Sequence, residues 1–227
     1  YRLDATGSVQ FVVDVNTGAA GSDPTEVTDF ANHVYFVASD VAVGRELRVL
    51  IDAPSSIRIV NGHLIFADEA GDLDNRLVIS SDGTQLRIRD ENGPAIFLLT
   101  TIADATGSGT NEVTIPFASL AGITALDIYT RGGNDSVTWD LAANASNILG
   151  QFATSYFDGG TNTFHVPGDR LRFVGDGVTV ARYEPDSLTT GDGIVTVGNA
   201  IYTTTFTFSQ LEPVEFMGMA QAWLITP

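Results

Sequence analysis

Apolar and polar residues alternate with a period of two along most of this chain, and helical periodicity is nearly absent. Such a chain has to bury its apolar side chains on the faces of sheets. Ile57-Arg58-Ile59-Val60, then Asn61-Gly62, then His63-Leu64-Ile65-Phe66-Ala67 shows this most plainly: two alternating runs across a dipeptide suited to a type I′ hairpin turn. Residues 77–80 and 85–89 repeat the arrangement across the longer Ser81-Asp82-Gly83-Thr84. The pattern predicts further strands over 8–15, 33–37, 47–51, 95–102, 112–116, 125–130, 136–141, 163–166, 170–174, 178–183, 194–197, 202–208 and 223–225. A short helix fits only 141–152, with one further turn over 116–122.

The expected fold is therefore all-β. Pattern alone leaves a β-sandwich, a barrel and a β-solenoid (β-helix-like) stack open. The 23 glycines, many in Asp-Gly or Gly-Asp corners, suit the solenoid best because it needs the most tight turns. Ala53-Pro54-Ser55-Ser56 marks a seam, giving a short β unit over 1–53 and a larger module over 54–227. The opening at Tyr1, with no signal-peptide pattern, reads as a processed or partial piece of something longer.

Charge narrows the function. Eleven arginines and no lysine face 28 carboxylates, a net charge of -17. Nucleic acid and anionic membrane surfaces both need a basic partner, so neither is expected. No apolar run approaches the ~18 residues of a membrane span. Without lysine there is no Schiff base and no P-loop lysine, and without cysteine no disulfide.

A dense carboxylate surface does suit a hard cation such as Ca2+, which takes six to eight oxygen ligands. Two loops are candidates. In Asp68-Glu69-Ala70-Gly71-Asp72-Leu73-Asp74-Asn75, the side chains of Asp72, Asp74 and Asn75 supply three oxygens. In Gly132-Gly133-Asn134-Asp135, a glycine turn precedes Asn134 and Asp135, and Asp158-Gly159-Gly160 is its nearest counterpart. An ordinary β-turn and a solvated acidic loop use the same residues. Histidines 33, 63 and 165 have no metal-ligand spacing, and no Gly-x-Ser-x-Gly elbow occurs, so the chain is not expected to be an enzyme. The C-terminal run Phe216, Met217, Met219, Trp223, Leu224 and Ile225 is apolar enough to form an interface.

Three resemblances bear on the setting. Asp14-Val15-Asn16-Thr17-Gly18, Gly21-Ser22-Asp23-Pro24, Val34-Tyr35-Phe36-Val37 and Gly44-Arg45-Glu46-Leu47 together resemble one ELWxxDGT (hyalin-like) repeat of large secreted bacterial proteins. Arg48 stands where that repeat has Trp. This implies a propeller-blade-like β unit. Residues 57–216, closing on Leu211-Glu212-Pro213-Val214, are similar to a β-rich module of bacterial surface and adhesin-like proteins. Gly132-Gly133-Asn134-Asp135-Ser136-Val137 resembles part of an RTX nonapeptide, which implies Ca2+ at the turn. The resemblances imply a structural component of an extracellular fibre, stalk or cell-surface coat. Its partners would be copies of itself or neighbouring surface proteins. A Ca2+-dependent adhesin or carbohydrate-binding module, and a polysaccharide-active enzyme on a β-helix, are the alternatives.

Overall fold

The computed structural model describes residues 2–3, 9–10, 23–30, 33–40, 44–50, 55–69, 73–92, 98–160, 168–211 and 213–225. The strand expected over 163–166 and most of that over 8–15 lie outside these residues. Two compact units, Tyr1–Asp52 and Ala53–Pro227, are distinguished.

In the first unit β1 (Arg2–Leu3) pairs antiparallel with β2 (Val9–Gln10). β3 (Thr25–Phe30), β4 (His33–Asp40) and β5 (Gly44–Leu50) form an antiparallel meander. The register slips between Thr25 and Thr28, and Arg45 donates to Thr25 Oγ1 at 2.7 Å beside that slip.

The second unit is all-β and is built from two sheets over one core. β6 (Ser55–Val60) and β7 (His63–Asp68) are joined by Asn61 and Gly62, both at positive φ (51° and 83°), as a type I′ turn requires. β8 (Arg76–Ser81) and β9 (Gln85–Asp90) form the next hairpin, followed by β10 (Leu98–Thr100) and β11 (Glu112–Pro116). Beyond a 3-10 turn at Phe117–Leu120 come β12 (Ala125–Tyr129) and β13 (Ser136–Asp140). The helix α1 (Ala145–Gln151) leads to β14 (Thr154–Asp158) and β15 (Arg170–Val174). β16 (Val180–Pro185), β17 (Gly193–Gly198), β18 (Thr203–Ser209), β19 (Val214–Met217) and β20 (Gln221–Leu224) complete the order.

Four times the chain runs along the first sheet, turns a corner and continues in the second: β7 to β8, β12 to β13, β14 to β15, and β18 to β19. Consequently β7, β12, β14 and β18 are parallel neighbours in a nine-stranded sheet, and β8, β13, β15 and β19 in a six-stranded one. Matching residues stack. Phe66, Ile128, Phe157 and Phe208 align in one sheet; Ile79, Trp139, Phe173 and Phe216 align in the other. These inward columns form the hydrophobic core. α1 places Ala145, Ile148 and Leu149 on one buried stripe against it, the i, i+3, i+4 spacing of an amphipathic helix. On one side the parallel strands are bounded by the antiparallel β9 and β11 in the six-stranded sheet, and in the nine-stranded sheet by the antiparallel β6, to which β10 adds in parallel as the edge. On the other side the nine-stranded sheet continues through antiparallel β17 and β16 to β20, whereas the six-stranded sheet stops at β19.

Candidate functional site

Three strands of the six-stranded sheet begin alike: Asn75-Arg76-Leu77, Asp135-Ser136-Val137 and Asp169-Arg170-Leu171. Since β8, β13 and β15 are in register, Asn75, Asp135 and Asp169 stack at one corner, all buried. Each acid accepts the backbone amide of its neighbour. Asn75 N donates to Asp135 Oδ1 at 2.7 Å, and Asp135 N donates to Asp169 Oδ1 at 2.8 Å. The side-chain amide of Asn75 donates to the buried Asp90 Oδ2 at 3.2 Å. Asp90 Oδ1 in turn takes the amides of Arg76 (3.2 Å) and Asn92 (2.8 Å), closing the column where β9 begins the antiparallel flank.

Burial pushes the carboxyl of Asp135 up to about 8; the negative charges of Asp169 and Asp68 add to this, against the favourable Asn75 amide and Thr130 hydroxyl. Asp135 Oδ2 and Asn75 Oδ1 have no hydrogen-bond partner of good geometry. Burial also raises Asp90, in spite of the three donors it accepts.

Two of the loops singled out in the sequence thus meet here. Asn134 N donates to Asp74 Oδ1 at 2.7 Å while Asn75 pairs with Asp135. Among the described residues no three His, Cys, Asp or Glu side chains converge to hold a metal ion. Asp72 lies outside the described residues. Asp158 stands apart: its Oδ1 takes the Gly160 amide at 3.0 Å, and it lines a groove on the nine-stranded sheet with Tyr129 and Arg131. There Tyr129 and Tyr156 meet edge to face at 5.8 Å.

On the outside of the six-stranded sheet, beside the buried column, lies a groove of about 530 Å³. Ser136 and Thr138 of β13 are small, and the longer Arg76 of β8 and Arg170 and Arg172 of β15 flank them. Arg87 and Arg89 of β9 share the same sheet face, which thus carries five of the eleven arginines. Arg172 Nε holds Glu215 Oε2 at 2.8 Å. Arg170 Nε pairs with Glu215 Oε1 at 3.3 Å without hydrogen-bond geometry. Arg87 reaches Glu112 at 3.6 Å, and Arg89 pairs with Glu91. Arg76 makes no ion pair among the described residues.

At the C-terminal edge, Met217, Trp223, Leu224 and Ile225 are exposed. Phe216 instead stacks on Phe173 at 5.7 Å, and Met219 packs against the core. Sequence reasoning missed Asp90, Asp169 and the arginine groove. The alternating Arg87-x-Arg89 and Arg170-x-Arg172 pairs were the available signal for the groove. No protein-family model matches the chain, and no curated protein or solved structure matches it either.

Proposed function

We propose that residues 53–227 are a two-sheet β-solenoid segment and that the chain serves as a structural component of an extracellular bacterial fibre, stalk or cell-surface coat. It joins copies of itself or neighbouring surface proteins without covalent links. The observation that carries this reading is the open edge at the C-terminal side. Among the described residues β19 ends the six-stranded sheet and β20 the nine-stranded one, each with one side that no described strand pairs. β20 is Gln-Ala-Trp-Leu, exposed throughout and without a charge, whereas edges that avoid pairing usually carry charges, Pro or bulges. Met217, Trp223, Leu224 and Ile225 add apolar surface beside those edges. The extracellular bacterial setting rests on the sequence resemblances alone.

Sedimentation at rising concentration tests the reading. The native chain is expected to associate, and Trp223→Lys with Leu224→Lys to remain monomeric with an unchanged circular dichroism spectrum. A native chain that stays monomeric at high concentration overturns it.

A further inference from the structure

In a chain of net charge -17 with no lysine, an arginine without a carboxylate partner is conspicuous. Arg76 is exposed, lines the 530 Å³ groove and makes no ion pair among the described residues. Across the groove stand Arg170 and Arg172, whose Nε groups share one carboxylate, Glu215. Two guanidiniums on one carboxylate leave donors to spare, since each presents five N–H groups. β13 separates the two walls, so Arg76 and Arg170 lie two strand spacings apart, about 9.6 Å. Hydroxyls of Ser136 and Thr138 lie between them, with Asn134, Asp74 and Glu91 also lining the groove.

We propose that this groove binds a carboxylate-bearing oligosaccharide, a uronate, with sugar carboxylates engaged by Arg76 and by the Arg170–Arg172 pair. Guanidinium forks match carboxylates in a bidentate manner. The intervening hydroxyls and the acids Asp74 and Glu91 match sugar hydroxyls, which both donate and accept. The same acids, together with the overall negative charge, disfavour a densely charged polyanion such as a nucleic acid. A uronate carries its charges singly, separated by neutral hydroxyl-bearing rings. This inference does not depend on the edge-to-edge association proposed above, because the groove lies on the outer face of the six-stranded sheet.

Titration calorimetry with trigalacturonate, galactotriose and hexaglutamate provides the test. Trigalacturonate is expected to bind, and to bind more weakly as salt rises; galactotriose is expected not to bind. Arg76→Ala should weaken trigalacturonate about tenfold or more, the scale of a lost charged hydrogen-bonding group, with its thermal melt unchanged. Arg76→Lys should fall between, keeping the charge but losing the fork. The proposal fails if trigalacturonate does not bind, if galactotriose binds as well, or if Arg76→Ala binds like the native chain. Equal or tighter binding of hexaglutamate overturns the sugar assignment in favour of an acidic peptide.

Discussion

Asn75 and Asp135 hold the same place on adjacent strands, yet only one of them titrates. Both are buried in one hydrogen-bonded column, so Asp135 is at ease there only when it carries its proton. Its ordinary value of 3.8 moves up to about 8 on folding. Between those two pH values the folded chain keeps a proton that the unfolded chain has released. Stability from this group is therefore greatest below about 4, declines as pH rises toward about 8 and levels off above. Asp90, raised by burial, pushes in the same direction. Asp82 and Asp186 act oppositely: their turn amides, from Thr84 and Leu188, lower them, and their contribution is lost as pH falls through the acid range. Asp135→Asn keeps an oxygen for the Asn75 amide and removes the titration. It should stabilise the chain at pH 8, by an amount on the order of a few kcal/mol, and change little at pH 4. Thermal melts from pH 4 to 8.5 should show a flatter profile for the variant; a variant less stable than the native chain at pH 8 would mean that the carboxylate is ionised and useful.

The elements owe their cohesion to columns of side chains rather than to individual pairs. Trp139 lies between Ile79 and Phe173 in its column and meets Phe206 of the opposite sheet edge-on at 4.7 Å. Phe206 also meets Phe173 edge-on at 4.8 Å, so one ring ties the two sheets together. Trp139→Ala should cost ~3–5 kcal/mol by urea denaturation, the usual range for emptying a buried aromatic site. Val78→Ala, on the outer face of β8, should cost far less, and similar losses for both would contradict the column as the source of stability. Local signals made some of these elements readable beforehand. Asn61-Gly62 marked its hairpin, and the run 141–152 contains α1, because a turn and an amphipathic stripe are set by residues a few positions apart. β14 was not among the expected strands: Ser155 fills one of its two buried positions, which hides the apolar alternation. The corner column was unreadable for another reason. Asn75 and Asp135 lie 60 residues apart, and only the parallel register brings their two loops together. The groove shares that limit, since its alternating Arg170 and Arg172 are in plain view while Arg76 comes from a distant strand.

At the scale of the second unit, the order of strands matters more than any one of them. β6 lies near one side of the nine-stranded sheet and β20 forms its opposite edge, with the parallel strands between them. Ladder hydrogen bonds run across strands, along the line from β7 through β12 and β14 to β18. A pull along that line loads the ladders one after another, as in opening a zipper. A pull along the strands would instead shear every bond of a ladder at once. Handles at Ser55 and Leu224 apply the first kind of load. Single-molecule extension between them should release the fold in several low-force steps, and a single high-force rupture would contradict this. A thread of such units would then be compliant under tension along its stacking direction, yielding strand by strand and absorbing work before its backbone is taut.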